Sequence, residues 1–233
     1  MRLDKYLSDL GLGSRKELKN IIRSGRVSVN GVIATSPDEK VDDSDAVSLD
    51  GQNLVYRKYR YFAVDKPDGV LSASEDRKQT TVIDLLPEEL QKLGLFPVGR
   101  LDKDTTGLLL LTNDGEFAHK VISPKSEIQK LYHAVTDGVV TDADIRKFRE
   151  GVVLKDGLCC LPAELHRCDD GSCLVSVMEG KYHQVKRMLA SVGKPVLQLR
   201  RLRIGGLDIG SCQFTNGYCE LSQKDLDLIF TEI

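Results

Sequence analysis

The sequence predicts an α+β protein in two parts, a small N-terminal unit and a larger domain built on a mixed, mainly antiparallel sheet. Three observations carry that prediction. Helical apolar spacing gives way to strand alternation within the first fifty residues; a polar stretch follows at 51–59; and from residue 60 short strand-like runs recur between turn residues, with few helices and no internal repeat. A chain of 233 residues can bury a sizeable core in this way. The expected organisation is a unit over 1–50, a linker over 51–59 and a larger domain over 60–233.

Leu3, Tyr6, Leu7 and Leu10 share one face and predict a helix over 3–10, ended by Gly11 and Gly13. Ser14 and Glu17 have capping-box spacing at the start of a second helix, with Leu18, Ile21 and Ile22 as its stripe and Gly25 as its stop. Val27-Ser28-Val29 alternates as a strand, Asn30-Gly31 is a two-residue hairpin turn, and a further strand is expected at 46–49. In the larger domain, Tyr61–Val64 reads as a strand ending at Lys66-Pro67, with a turn at Gly69 and a helix over 82–86. Strands are expected at 131–135, 152–154, 173–178 and 202–204, and helices near 142–149 and 181–192.

Charge is balanced, with 33 Lys+Arg against 35 Asp+Glu, which argues against a non-specific polyanion binder. Its distribution is uneven. Residues 1–30 contain Arg2, Lys5, Arg15, Lys16, Lys19, Arg23 and Arg26 against three acids, and residues 178–204 contain Lys181, Lys186, Arg187, Lys194, Arg200, Arg201 and Arg203 against Glu179 alone. Two local basic patches on a neutral chain predict specific docking on a polyanion. The charged start shows no signal peptide, and the longest aliphatic run, Leu108–Leu111, is too short to span a bilayer, so a cytoplasmic protein with no membrane partner is expected. The six cysteines form no Cys-x-x-Cys pair and have no histidine in ligand spacing. They read as free thiols, with no metal site.

The segment Gly99-Arg100-Leu101-Asp102-Lys103-Asp104-Thr105-Thr106-Gly107 places an acid on a short turn directly ahead of the apolar run 108–111. A carboxylate there can be rigid, partly desolvated and open to substrate, as a nucleophile or base must be. Asp104 reads as a turn residue, and Asn113-Asp114-Gly115 as turn or helix-cap chemistry.

This segment resembles the catalytic motif of the pseudouridine synthases of the ribosomal small-subunit type. The resemblance extends through Lys130-Leu131-Tyr132, through Glu179-Gly180-Lys181-Tyr182-His183-Gln184-Val185-Lys186-Arg187-Met188, through Arg203-Ile204-Gly205-Gly206, and through an N-terminal unit similar to the S4 RNA-binding fold. It implies isomerisation of a uridine to pseudouridine in ribosomal RNA, most closely 16S RNA, by a monomer without a cofactor. It implies that Asp102 is the essential carboxylate, that Lys186 pairs with it where many relatives carry arginine (Arg187 being the fallback), and that Tyr132 stacks on or deprotonates the base. Arg100 fills the space left by the target base or pairs with an acid at the surface. Arg187 and the seven basic residues of 1–30 face RNA, and Lys66-Pro67 is structural. Three other readings compete: a non-catalytic S4-type binding protein, a glycosidase using Asp102, and a large-subunit (23S) enzyme of the same family. The first expects a lost aspartate, tyrosine or base, yet all three are present. The second expects a second catalytic carboxylate and an aromatic cleft, in a chain with no Trp.

Overall fold

The computed structural model describes residues 1–42 and 44–231. It divides into two compact units, Met1–Arg60 with Pro87–Leu95, and Tyr61–Leu86 with Phe96 onward. In the first unit, α1 (Leu3–Asp9) buries Leu3, Tyr6 and Leu7, and α2 (Arg15–Arg23) buries Leu18 and Ile22. Both halves of the α2 capping box are made. Ser14 Oγ accepts from the Glu17 amide at 3.4 Å, and Glu17 Oε2 accepts from the Ser14 amide at 2.8 Å. Strands β1 (Val27–Val29), β2 (Val32–Ile33), β3 (Val47–Leu49) and β4 (Gln52–Leu54) form an antiparallel sheet in the order β2-β1-β3-β4. Asn30 and Gly31 take the positive φ values, 51° and 80°, that the hairpin turn demands.

The stretch 51–59, read as a linker, is partly structured. Asp50 and Gly51 repeat the double positive-φ turn, at 51° and 81°, and β4 pairs back on β3. Tyr56 then stacks on Tyr6 with ring centroids 4.8 Å apart. An Asp-Gly pair between alternating residues is as strong a hairpin signal as Asn-Gly, and the polar composition concealed it. The short α3 (Glu88–Gln91) clusters with this unit.

The second unit is a single mixed sheet with helices packed on it. Its strands are β5 (Tyr61–Lys66), β6 (Phe96–Pro97), β7 (Thr105–Thr112), β8 (Lys130–Thr136), β9 (Glu164–Arg167), β10 (Cys173–Val177), β11 (Val196–Ile204), β12 (Leu207–Asp208) and β13 (Tyr218–Glu220). The main order is β13-β5-β7-β11-β8-β10-β9, with β6 on β7 and β12 on β11. Among the described residues, every pairing of these strands is antiparallel except β7 with β11. Four helices, α4 (Gly115–Ile122), α5 (Asp142–Glu150), α6 (Gln184–Ser191) and α7 (Gln223–Ile229), complete two apolar clusters. One joins α5 and α6 to β8–β10, and the other joins α4 and α7 to β5 and β7.

Three expectations fail for identifiable reasons. Residues 82–86 are turns, not a helix: Thr81 donates from both its amide and its hydroxyl to Asp84, and Pro87 disfavours helical geometry at Leu86. Residues 152–154 make only a bridge from Val153 to Cys159. The strand foreseen at 202–204 runs the whole length of β11, because two arginines that obscure its alternation find partners within the fold. Arg200 pairs with Asp65 at 2.8 Å, and Arg201 donates to the Leu108 carbonyl at 2.7 Å. The cap reading of Asp114 holds: its side chain accepts from the amides of Glu116 and Phe117 at the start of α4.

Strand β7 approaches β11 closely at Gly107, where φ is +98° and an added Cβ would lie 2.2 Å from the Arg201 carbonyl oxygen. Gly107→Ala is therefore expected to destabilise the protein by roughly 3 kcal/mol or to prevent folding. A urea-unfolding midpoint within error of wild type would contradict this close packing.

Candidate active site

The Asp102 turn is held through its backbone groups from three sides. Lys66, at the end of β5, is fully buried, and its Nζ donates to the carbonyls of Pro67, Lys103 and Thr105 at 3.0, 2.9 and 2.9 Å. Burial lowers its pKa, against the pull of the Asp68, Asp104 and Asp102 carboxylates. Ser72 Oγ donates to the Leu101 carbonyl at 2.9 Å and accepts from its amide at 3.0 Å, and the Thr105 amide closes on the Asp102 carbonyl at 3.1 Å. A buried ammonium and a buried hydroxyl thus hold the residues on either side of Asp102, leaving its side chain a quarter exposed.

Helix α6 supplies the counterion. Lys186 Nζ lies 3.1 Å from Asp102 Oδ2 and 2.5 Å from Asp104 Oδ1. Burial works against its charge, yet the hydrogen bonds to Asp104 and Asp102 outweigh that cost and raise its pKa. Asp104 is correspondingly lowered, chiefly by its hydrogen bond from Lys186. Asp104 is therefore more than a turn residue, since it is the second carboxylate on the shared ammonium. The other Asp102 oxygen, Oδ1, faces His183 Nε2 at 3.3 Å. His183 occupies the N-cap of α6 in the left-handed region, at φ 48°. Arg187 does not serve as fallback, because it is held by Asp156 at 2.5 Å and by the Tyr182 carbonyl at 3.3 Å.

Tyr132, on β8, lines the same cleft as Arg100, Asp102, Thr105 and His183. Its cross-strand neighbour is Arg201, whose guanidinium lies 6.0 Å from the ring centroid and whose Nη1 is 3.5 Å from the hydroxyl. Arg201, counted by charge in a basic patch, is 5 % exposed and lies inside the sheet. Among the described residues its Nη2 and the Thr105 hydroxyl are buried atoms without a hydrogen-bond partner. His183, Asp104 and Arg201 join this candidate site only in the folded chain. The residues were legible, but the crossing of strand end, helix start and neighbouring strand was not.

The patch at 178–204 is largely consumed inside the fold: Lys181 pairs with Glu179, Lys186 with Asp102 and Asp104, Arg187 with Asp156, and Arg200 with Asp65. In the N-terminal unit Arg2 pairs with Asp4 and Asp38, and Arg26 with Asp50. Among the described residues Lys5, Arg15, Lys16, Lys19 and Arg23 carry no ion pair, and Arg15, Lys19 and Arg23 follow one another at four-residue steps along α2.

A family model described as RNA pseudouridylate synthase matches residues 60–191, and an S4 domain model matches residues 1–47. An uncharacterized RNA pseudouridine synthase of Bacillus subtilis is 42% identical over 98% of both chains. The ribosomal small subunit pseudouridine synthase A of Vibrio cholerae is 37% identical over 99% of this chain and 100% of its own, and the ribosomal large subunit pseudouridine synthase B of B. subtilis is 37% identical over 91% of each. A crystal structure of a pseudouridylate synthase superposes with a TM-score of 0.68 at 31% identity, covering 98% of this chain and 99% of that one.

Two stability measurements test the framework of the site. Lys66→Met leaves three carbonyls without their donor and should cost on the order of 3 kcal/mol in denaturant unfolding, whereas a change below about 1 kcal/mol would show that water replaces the ammonium. Lys130, beside Arg201, has its pKa lowered to about 8, by burial first and by the Arg201 charge second. The unfolded chain, with an ordinary lysine near 10.5, then binds the extra proton between about pH 8 and 10.5, so Lys130 makes stability rise with pH in that window. Lys130→Met should remove that rise, seen as a flatter difference in unfolding free energy between pH 8 and 10.5. Parallel curves would refute it.

Proposed function

This chain belongs to the RNA pseudouridylate synthase family, isomerases acting on RNA, and we propose that it converts a uridine of ribosomal RNA to pseudouridine with Asp102 as the reacting carboxylate. The observation that carries this reading is that Asp102 and Tyr132 line one cleft from separate elements while Lys186, on α6, pairs with Asp102 at 3.1 Å. The reaction breaks the bond from uracil N1 to ribose C1′, turns the base, and forms the bond from C5 to C1′; the C5 proton leaves and N1 gains one. It is redox-neutral. It needs an ionised carboxylate beside C1′, to attack that carbon or to remove the C2′ proton. Lys186 places a positive charge 3.1 Å from the Asp102 carboxylate, at a site that RNA would close to water. The Tyr132 ring suits stacking on the turned-out uracil, and its hydroxyl suits removal of the C5 proton.

The target proposed is small-subunit RNA, because the V. cholerae relative named for that subunit aligns from end to end. The B. subtilis relative named for the large subunit, at the same identity over a shorter span, supports large-subunit RNA as the second reading. Mapping pseudouridines in both ribosomal RNAs from cells with and without this protein separates the two. Loss of one small-subunit site is expected, and loss of a large-subunit site would transfer the assignment. The unpaired basic side chains of α2, with Lys5, are proposed as phosphate contacts, which hold RNA without choosing a base.

Asp102→Asn should fold and bind RNA but form no pseudouridine, and activity within about tenfold of wild type, roughly 1.4 kcal/mol of barrier, would overturn the catalytic assignment. Lys186→Met should lower kcat far more than RNA affinity. Tyr132→Phe keeps the stacking surface, so a large rate loss assigns work to the hydroxyl, and near-normal turnover confines Tyr132 to stacking. Replacing Arg15, Lys16, Lys19 and Arg23 together with Gln should weaken RNA capture and flatten its dependence on salt, because fewer counterions are released. An unchanged salt slope would make α2 an ordinary solvated helix.

A further inference from the structure

The loop that leads into α6 presents one aromatic ring to solvent and fixes everything around it. Tyr182 is 71 % exposed, and its ring stacks on the neighbouring His183 ring with centroids 3.8 Å apart and planes 19° from parallel. One face of the tyrosine is therefore taken by the histidine, and the high exposure leaves the other face in water. His183 in turn reaches Asp102 Oδ1 at 3.3 Å and lines the cleft. Tyrosine, histidine and carboxylate form a row from the rim of the site to its reacting group.

The loop beneath the ring is tied at Glu179, Lys181, Tyr182 and His183. The Glu179 carboxylate accepts from the Leu161 amide at 2.9 Å, from Gln184 Nε2 at 2.8 Å and from Lys181 Nζ at 2.7 Å. Lys181 Nζ also donates to the Cys159 carbonyl at 2.7 Å, and the Lys181 amide donates to Gln184 Oε1 at 2.9 Å. Arg187 holds the Tyr182 carbonyl. His183 sits in the left-handed region, a conformation that persists in a non-glycine residue only where its surroundings enforce it. A scattered surface tyrosine needs no explanation, but this one stands on a preorganised support beside the reacting carboxylate. A flat, uncharged, rigid ring open on one face is what an unpaired nucleobase stacks on, whatever its identity.

Resting on the reading of the site as a uridine isomerase, we infer that Tyr182 is a stacking subsite for an unpaired nucleobase of the substrate RNA next to the target uridine. The turned-out uridine occupies the cleft, and its neighbour in the strand lies on the outer face of Tyr182, continuing the tyrosine–histidine stack. Tyr182 is thus a binding residue that sets where the strand bends, and it takes no part in bond making.

The test uses the full chain and a transcript of the ribosomal RNA segment that it modifies. The flanking nucleotides are replaced one at a time by the fluorescent base 2-aminopurine. Wild type, Tyr182→Phe and Tyr182→Trp should quench one flanking probe on binding, and Tyr182→Ala should leave it bright. Tyr182→Ala should raise KM about tenfold, in the range of one lost base–aromatic stack. Its kcat should stay within about twofold and its dependence on salt should not change, since no phosphate contact is lost. Rescue by Phe and Trp is required. Three results would overturn the inference: a KM for Tyr182→Ala within twofold of wild type, a fall in kcat alone (which makes the ring only a support for His183), or both flanking probes unquenched by wild type. A wild-type protein that modifies no ribosomal RNA defeats the isomerase reading itself, and the inference with it. Activity with unaffected Tyr182 variants defeats the inference alone.

Discussion

An ammonium held between two carboxylates at the edge of a cleft is the interaction on which the rest of this site depends. Lys186 is mostly withdrawn from water, and a withdrawn charge is costly unless opposite charge and hydrogen bonds are in place around it. Asp102 and Asp104 provide both, and their bonds to Lys186 raise its pKa despite burial. The arrangement is asymmetric in a useful way. Asp104 is largely exposed and can neutralise Lys186 at the rim, whereas Asp102 is a quarter exposed and faces the cleft with Tyr132. A cation with a second partner can keep its place when substrate alters the surroundings of the first.

The fold brings these groups together by fixing backbone first. Lys66 and Ser72 hold the residues before and after Asp102 through carbonyls and an amide, so the turn has little freedom left to lose. The Glu179–Gln184 network does the same for the entry to α6. Strand β11 lies between β7 and β8, so that Gly107, Arg201 and Tyr132 come into register across three strands. Side chains mounted on such a frame can be held within the narrow tolerance that a reacting group requires.

Most of the elements were legible in the sequence, because local chemistry specifies them. The Ser14–Glu17 box, the Asn30-Gly31 turn and the Asp114 cap act within a few residues. Asp102, Lys186 and Tyr132 were legible through motifs that resemble those of a known family. What stayed hidden depends on pairings distant in the chain. Arg201 looks like surface charge until β7 and β8 enclose it, and Asp104 looks like a turn residue until α6 delivers Lys186 82 positions later. The basic patch at 178–204 failed as a patch for the same reason, since its acidic partners Asp65, Asp102, Asp104 and Asp156 lie far away in sequence. Net charge along a segment counts residues and cannot see which of them are already paired.

The shared ammonium can be measured directly by NMR titration of the Lys186 side chain in wild type, Asp102→Asn, Asp104→Asn and the double variant. If both carboxylates hold Lys186, it titrates above an ordinary lysine in wild type and falls in each single variant. In the double variant, where only burial remains, it falls below the ordinary value. A Lys186 titration that is the same in wild type and Asp102→Asn would contradict the account, because Asp102 would then have no charged partner of its own.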